Sequence, residues 1–358
     1  MAWLLGGLLA GCAMAPPSGA ADDLAGIVVP AAWSQSDATP AALPARPWWL
    51  RFDDAALTAM VNQARQAHGS VRTAQAVLAQ AQALRDGAAA TLWPTLGASA
   101  SAQRGMAADR STGNRFQVGA DAGWALDVFG ANRNALSATE ATAQAAAAGL
   151  ADARNAIAAE VGLSYLLLRS TQVRLAIAQD NLATQHATLQ ITRWRQEAGL
   201  VTALESDQAL AATAQTQALL PTLQKAIEQT RHALAVLTGQ APGSAVLLAW
   251  LAVPMAASGS GAVVPAMPTA GGAIAPGLPA NTLRQRADVR AAEWRVQAAM
   301  ARVSQAEAAR YPSFVLGGSL GLNAATVGAL TEKASLLGSV LASVSVPLFD
   351  AGANAAQV

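Results

Sequence analysis

Four stretches of the chain alternate apolar residues with polar or small ones, which is the pattern of strands that have one apolar face. The clearest runs from Phe116 to Val128, where every even position is apolar and the odd positions are polar or small. Similar alternation covers 95–104, 313–323 and 339–348. The pattern therefore predicts four strands of about ten residues, the length that a tilted transmembrane strand needs.

Alternation alone fits two kinds of sheet. One is a soluble β-sandwich with a buried face, and the other is a sheet embedded in a membrane. Single-chain membrane barrels begin at eight strands, so four strands cannot close one. An open edge in lipid would leave backbone groups without hydrogen-bond partners. If these strands lie in a membrane, several chains must therefore share one barrel.

A helical pattern replaces the alternation between 134 and 198, where proline is absent and glycine occurs only twice. A helix of that length extends about 95–100 Å at 1.5 Å per residue, wider than a globular domain, so we expect it to project and pack sideways in a coiled coil. Gly199 ends it, and a second helix is predicted over 203–237. Pro221 is expected to begin a new segment or to bend this helix.

The two halves of the chain are built alike. Residues 69–96 align without gaps with residues 287–314, and both copies are rich in alanine and glutamine. Val-Arg near the start and an aromatic-Pro pair near the end recur in both copies. Proline disfavours helix in the residue before it, so each helix should stop at that pair and a strand should follow.

Residues 1–11 form an apolar run that ends in small residues, as a secretory signal peptide does. The run closes on Leu9-Ala10-Gly11-Cys12, which resembles the lipobox of bacterial lipoproteins. That resemblance implies that Cys12 becomes the lipidated first residue of the mature protein. The alternative is a small buried cysteine. Cys12 is the only cysteine, so an intramolecular disulfide is excluded.

The composition limits the classes of function that the chain can have. Charged residues make up 13% of the chain and apolar residues 53%, which indicates extensive contact with membrane or with other chains. A net charge of +1 and 4% aromatic residues give no footprint for nucleic acid. Beyond residues 1–10 no run of 18 apolar residues predicts a membrane-spanning helix.

The sequence also lacks a pattern for catalysis. The three histidines, His68, His186 and His232, lie far apart on predicted helices without metal-ligand spacing. Neither a glycine-rich phosphate loop nor a nucleophile elbow occurs. We therefore expect neither an enzyme nor a cofactor.

These observations divide the chain into five parts. They are a signal peptide (1–11), a lipidated tether (12–46), a first repeat of helix, two strands and long helical hairpin (47–253), a low-complexity flexible linker (254–280) and an incomplete second repeat (281–358).

Further motifs carry a resemblance to a known family. Residues 195–205, Arg-Gln-Glu-Ala-Gly-Leu-Val-Thr-Ala-Leu-Glu, are similar to the periplasmic tip of TolC-like outer-membrane efflux proteins. Residues 124–130 resemble the end of that family's second strand, and 283–293 resemble the opening of its second repeat. Pro47-Trp48-Trp49 and 347–352 fit as well. Together with the lipobox, the match points to the OprM-like lipoprotein branch.

The resemblance implies an α+β fold, mainly α, in which the subunit supplies four membrane strands and a long coiled-coil hairpin. Three copies would close a twelve-stranded barrel in the outer membrane of a Gram-negative bacterium, continued by a helical barrel into the periplasm. Such a homotrimer is the exit duct of a tripartite efflux pump, a passive conduit for small molecules such as drugs. Its partners are a periplasmic adaptor protein, an inner-membrane transporter and outer-membrane lipid.

The resemblance also assigns roles to residues. The positions that would meet the adaptor at the tip are Arg195, Gly199, Leu200 and Thr202. Glu205 falls where the family carries an acidic residue of the periplasmic gate. The polar positions of the second strand that would line the barrel lumen are Gln117, Asp121 and Asp127.

The family's second repeat continues into another long hairpin, whereas this sequence stops at Val358, just after that helix should begin. We expect a fragment or truncated reading frame that cannot build a sealed duct as written. The rival hypothesis is a lipid-anchored soluble coiled-coil adaptor or scaffold, which would have no membrane strands and would be released by mild salt or by loss of its acyl chains.

Overall fold

A computed structural model of the protein describes residues 47–106, 112–252, 255–257, 263–271, 283 and 285–358. Cys12, the signal peptide 1–11 and the tether 12–46 lie outside the described residues. In chain order the helices and strands are α1 (Ala55–Ala67), α2 (Gly69–Ala90), β1 (Thr95–Met106), β2 (Thr112–Leu126), α3 (Ala131–Glu197), α4 (Ala203–Thr238), α5 (Ala245–Leu251), β3 (Met255–Ala257), β4 (Val263–Pro265), α6 (Ala287–Ala308), β5 (Ser313–Ala324), β6 (Leu336–Ser345) and α7 (Ala353–Gln357).

The chain forms two compact units. The described part of the first contains residues 77–106, 112–148, 283 and 285–358, and that of the second contains residues 47–76, 149–252, 255–257 and 263–271. α2 and α3 each contribute residues to both.

The first unit holds the four predicted strands in one antiparallel sheet of order β1-β2-β5-β6. The strand bounds differ from the prediction at two places. β2 begins at Thr112, because its pairing with β1 continues beyond the alternating segment to the pair Met106–Thr112. β6 begins and ends earlier than predicted, and its pairing stops at Ser313–Ser345, before Pro347, which has no N–H to donate to a ladder.

The long helix is confirmed and slightly extended. α3 runs unbroken for 67 residues, and α4 follows with 36 residues after the turn at Gly199. The alanine-rich part of α3 has small side chains, which allow neighbouring elements to approach the helix closely. Several of these alanines are buried: Ala138, Ala141, Ala143, Ala145 and Ala148. Of the two alternatives expected at Pro221, a new helical segment is wrong, since α4 continues through it, and a bend of α4 stays a prediction.

The second unit packs around α1. Asp54 caps α1 by accepting a hydrogen bond from the Leu57 backbone N–H at 2.9 Å. The buried face of α1 consists of Leu57, Met60, Val61 and Ala64. On α3 the residues Val161, Tyr165 and Leu168 are fully buried, at the three- and four-residue spacing of one helical face.

A short 3₁₀ helix, Trp48–Phe52, precedes α1 and carries an aromatic cluster. The Trp48 ring lies edge-on to Trp49, with centroids 5.7 Å apart, and also edge-on to Phe52 at 6.1 Å. Gly162 of α3 lies directly under the Trp48 ring, so that a Cβ atom at this position would collide with the indole. The glycine therefore provides the space for the ring.

The described residues of the range predicted as a flexible linker, 254–280, include a short strand pair. β3 and β4 pair in antiparallel fashion, and the Gly271 backbone N–H donates to the Arg51 carbonyl at 2.8 Å. These backbone hydrogen bonds do not depend on side-chain pattern, which is why a low-complexity sequence gave no sign of them. Within the described residues no helix has both the length and the apolarity that a bilayer crossing requires.

Candidate functional site

One face of the sheet is apolar from Leu96 to Ala102 on β1 and from Phe116 to Leu126 on β2, and the polar pair Arg104–Asn114 continues it toward the β1–β2 hairpin. Cross-strand partners on this face lie in rows across all four strands, such as Leu96–Ala122–Gly318–Val340 and Ala98–Ala120–Leu320–Gly338. Leu96 is 80% exposed, Leu320 60% and Val340 84%, so nothing among the described residues covers them. A contiguous exposed apolar surface of this kind marks contact with a membrane or with another protein.

The opposite face carries mainly polar and small residues, with Val315, Leu337 and Leu341 as apolar exceptions. Asp121 lies in a row with Gly97, Ser319 and Ser339, and the Ser319 and Ser339 hydroxyls are 2.8 Å apart. A Cβ on Gly97 would come within 3.2 Å of the Asp121 carboxylate, so the glycine leaves room for that side chain. Gln117 lies on the same face, four positions along β2. The prediction that Gln117 and Asp121 share a polar face agrees with the strand register.

Asp127 has a different position from the one predicted. β2 ends at Leu126, and the Asp127 carboxylate instead accepts hydrogen bonds from the backbone N–H groups of Asn132 at 3.0 Å and Arg133 at 2.9 Å. The Arg133 Nε also donates to this carboxylate at 3.1 Å. The free N–H groups at a helix start attract an anionic acceptor more strongly than a strand surface does, and this moves Asp127 off the strand face to cap α3.

Asp350 performs the same task in the second half of the chain, and sequence reasoning missed it. Its carboxylate accepts the backbone N–H groups of Gly352 and Asn354, both at 2.9 Å, at the start of α7. These hydrogen bonds lower the pKa of Asp350 below its ordinary value. A Gly-Ala-Asn sequence follows the acidic residue at both junctions, and this shared motif was the signal available.

Aromatic rings also join the two halves of the chain within the first unit. Phe129, just after β2, stacks on Tyr311, just before β5, with centroids 4.9 Å apart. The Trp124 indole N–H donates to the Leu92 carbonyl at 3.0 Å. The aromatic-Pro pairs noted in the sequence therefore lie at the end of the sheet where helices meet strands.

The turn between α3 and α4 gathers the predicted tip residues. Gly199 has a φ of +74°, and the Leu200 N–H donates to the Arg195 carbonyl at 2.8 Å, which closes the end of α3. Leu200 is 69% exposed. Thr202 precedes α4, and its hydroxyl lies 3.4 Å from the Glu205 carboxylate. The turn therefore presents an apolar side chain beside charged ones.

Among the described residues, no group of three or more His, Cys, Asp or Glu side chains converges in a way that could hold a metal ion.

The fold and the two faces of the sheet together define a class of protein. In this class a helix precedes each pair of strands, the sheet has one exposed apolar face, and the strands lead into a long helical hairpin. The chain belongs to the outer membrane efflux protein family, whose model matches residues 60–240 and 278–358. The predicted relationship to TolC-like outer-membrane efflux proteins is thereby confirmed.

Relatives of known name support the assignment. The chain is 30% identical over 325 residues to the pyoverdine export outer membrane protein OpmQ of Pseudomonas putida, covering 86% of this chain and 65% of OpmQ. It is 29% identical over 326 residues to the outer membrane protein OprJ of Pseudomonas aeruginosa, covering 89% of this chain and 65% of OprJ. The chain therefore spans just under two thirds of the length of these relatives.

Solved structures share the fold. The outer-membrane channel OprN superposes with a TM-score of 0.78 at 32% identity, over 92% of this chain and 75% of OprN. The outer membrane protein VceC of Vibrio cholerae gives a TM-score of 0.77 at 26% identity, over 89% of this chain and 74% of VceC. The predicted fold class, mainly helical with a small antiparallel sheet, is confirmed.

Proposed function

We propose that the protein is one subunit of an exit duct in the outer membrane of a Gram-negative bacterium, a passive conduit for small molecules that carries out no reaction. The exposed apolar face of the sheet carries this proposal. Along β2 it runs from Phe116 to Leu126, about 34 Å at roughly 3.4 Å per residue. At the tilt of about 40° typical of membrane strands this is about 26 Å, close to the ~25 Å apolar band of outer-membrane barrels.

The edges of the sheet support a homotrimer. β1 and β6 are the outer strands, and each has one side without a strand partner in the described chain. Backbone N–H and C=O groups cannot stay unpaired in lipid, so edge strands of neighbouring copies must complete the ladder. Three copies supply twelve strands. Gln117 and Asp121 would then face the lumen, where polar side chains keep their water.

The helical turn suits a contact with a periplasmic adaptor protein. Arg195, Gly199, Leu200 and Thr202 lie within one reversal of the chain, and Leu200 is largely exposed between charged neighbours. An exposed apolar side chain ringed by polar groups is typical of a protein interface. Through the adaptor the duct would couple to an inner-membrane transporter. Glu205, exposed in the first turn of α4, is the candidate acidic residue of the gate.

The relatives bear on cargo and attachment. OpmQ is named for pyoverdine export, and a further relative, MdtQ of Escherichia coli, is named a multidrug resistance protein. Small organic molecules, drugs among them, are therefore the class of cargo that we propose. Lipidation of Cys12 would add a second attachment to the membrane, beside the strands.

Fractionation of cells that express the protein tests this function. We expect it in the outer membrane, extracted by detergent and not by salt or alkali, and migrating as a trimer in unheated gels and as a monomer after boiling. Release of a monomer by salt or alkali would contradict the proposal and would favour the soluble coiled-coil scaffold instead.

A further inference from the structure

The second unit contains a cleft of about 420 Å³ that the duct function does not use. The start of α1, the middle of α3, the end of α5 and residues 266–269 form its walls. Phe52, Trp250 and Met267 supply much of the apolar lining. The lining is about half polar and half apolar, and the size of the cleft lies within the range of sites for small organic molecules.

A buried polar network forms one wall. Tyr165 donates its hydroxyl hydrogen to the Asp54 carboxylate at 2.7 Å, and Arg169 donates to the Tyr165 hydroxyl at 2.9 Å and to the Ala252 carbonyl at 3.2 Å. Arg169 is only 1% exposed. Its positive charge is enclosed, and Asp54 balances it through Tyr165. The wall is therefore rigid and close to neutral.

Residues 266–271 cover one side of the cleft. We call them the covering segment. At its end the Gly271 backbone N–H donates to the Arg51 carbonyl at 2.8 Å, and the Arg51 guanidinium donates to the Gly271 carbonyl, at 3.2 Å from Nη2. These hydrogen bonds hold the end of the segment beside the 3₁₀ helix. One wall of the cleft is therefore anchored at Gly271.

Asp53 supplies the charge that a ligand would meet. It lines the cleft, its side chain is exposed, and its carboxylate makes no hydrogen bond or ion pair with the described residues. The charged residues of the lining are Asp53, Asp54 and Arg169, so the lining has one negative charge in excess beside aromatic surface, while the Arg51 guanidinium lies at the end of the covering segment. Aromatic rings and a carboxylate together attract organic cations.

We propose that this cleft binds an organic cation with an apolar body, the cation near Asp53 and the body against Phe52, Trp250 and Met267. The proposal is independent of the exit duct, because the cleft lies in the second unit and its occupancy is measured on the isolated protein. Failure of either one leaves the other untouched.

Titration of the detergent-solubilised full chain with ethidium, an aromatic cation, tests the site by dye fluorescence and by quenching of tryptophan fluorescence. The chain has nine tryptophans, so the part due to Trp250 is the difference from a Trp250→Phe variant. Asp53 has a φ of +47°, which asparagine adopts readily, so Asp53→Asn removes the charge without backbone strain. We expect this variant to weaken ethidium binding about five- to tenfold, the size of one charge contact in a partly solvated cleft. Asp207→Asn, an exposed carboxylate of α4 outside the cleft, should change binding less than twofold.

A second variant keeps the test decisive if Asp53→Asn does not fold. Met267 is 43% exposed, so Met267→Lys is compatible with the fold and places a like charge against the cation. It should weaken ethidium binding to a similar degree. The site is refuted if both variants bind as the parent does, or if the anilinonaphthalene sulfonate anion displaces ethidium with equal affinity.

Discussion

Tyr165 ties separate parts of the second unit together through one hydroxyl group. It accepts from Arg169 and donates to Asp54, which itself caps α1, so that α3, α1 and the end of α5 share one network. Burial raises the pKa of Tyr165 to about 12, and the hydrogen bond to Asp54 acts in the same direction. The neutral phenol is therefore the form that the fold requires.

This pKa has a measurable consequence. An unfolded tyrosine ionises near pH 10.0, so the contribution of Tyr165 to stability is complete below that pH and is lost as the pH rises from 10.0 to about 12. The chain has two tyrosines. We expect tyrosinate absorbance to show one of them titrating late, with Tyr165→Phe removing that step. If the late step persists in Tyr165→Phe, the assignment is wrong.

Sequence reasoning could not find this network. Asp54 and Tyr165 lie 111 positions apart, and neither stands in a motif with a known role. An acidic residue before a helix predicts a cap, which is a local property. Which buried hydroxyl shares that carboxylate depends on how α1 and α3 pack, and a single sequence carries no record of that packing.

Gly162 offers a second test at the residue scale. Alanine there would place a Cβ against the Trp48 ring, so we expect Gly162→Ala to lower the free energy of unfolding by about 1–3 kcal/mol. Gly149 lies in the same helix with nothing within 4 Å of a Cβ, and Gly149→Ala should stabilise by about 0.5–1 kcal/mol. Denaturant unfolding of both variants makes the comparison.

We attribute the different effects of Gly162→Ala and Gly149→Ala to the Trp48 ring, and the double variant Trp48→Ala/Gly162→Ala tests this. In a Trp48→Ala background the clash is gone, so Gly162→Ala should no longer destabilise the protein. A loss of the same size with and without the indole would contradict the proposed contact.

At the scale of elements, local patterns predicted the strands and helices well and their ends less well. Alternation places Phe116 to Leu126 in a strand because period-two patterning is a property of neighbouring residues. Asp127 continued the alternation, yet the helix start that follows it offered better hydrogen bonds and ended the strand. β2 begins at Thr112, before the alternating residues, because its pairing with β1 extends that far, and pairing with another strand is not a local property.

The two faces of the sheet should respond differently to charge. Leu320 lies near the middle of the apolar face, and Ser319 lies beside it on the polar face, in the same row as Asp121. In lipid, Leu320→Arg should lower the free energy of unfolding by about 2–4 kcal/mol, since arginine then lies within hydrocarbon. Ser319→Arg should cost only about 1 kcal/mol, for the lost hydroxyl hydrogen bond.

Folding into phospholipid vesicles, followed by denaturant unfolding, measures both variants. Equal losses for Leu320→Arg and Ser319→Arg would mean that the apolar face does not lie in lipid. A larger loss for Ser319→Arg would assign lipid contact to the opposite face.

At the scale of the whole molecule, the two halves repeat one plan down to single residues. Each leaves its second strand through a glycine in the left-handed region, Gly130 at φ +82° and Gly352 at +88°, and each starts the next helix with a carboxylate cap. The repeat was visible in the sequence because its anchors, Val-Arg and aromatic-Pro, are unusual in an alanine-rich chain.

Two separate attachments to the membrane follow from the proposed function, a lipid at Cys12 and the apolar sheet face. We expect Cys12→Ser to abolish incorporation of radiolabelled palmitate while detergent remains necessary for extraction, because the strands stay in the bilayer. If Cys12→Ser alone makes the protein extractable by salt, the acyl chains were its only hold on the membrane.

The exposed leucine and valine side chains of the sheet also determine how the protein behaves in water, before it reaches a bilayer. In water, an exposed apolar surface of this kind aggregates with other copies of the chain soon after synthesis, and the unpaired strand edges make aggregation faster. A newly made chain must therefore be bound by a chaperone, which covers the apolar surface and releases the chain only at the membrane.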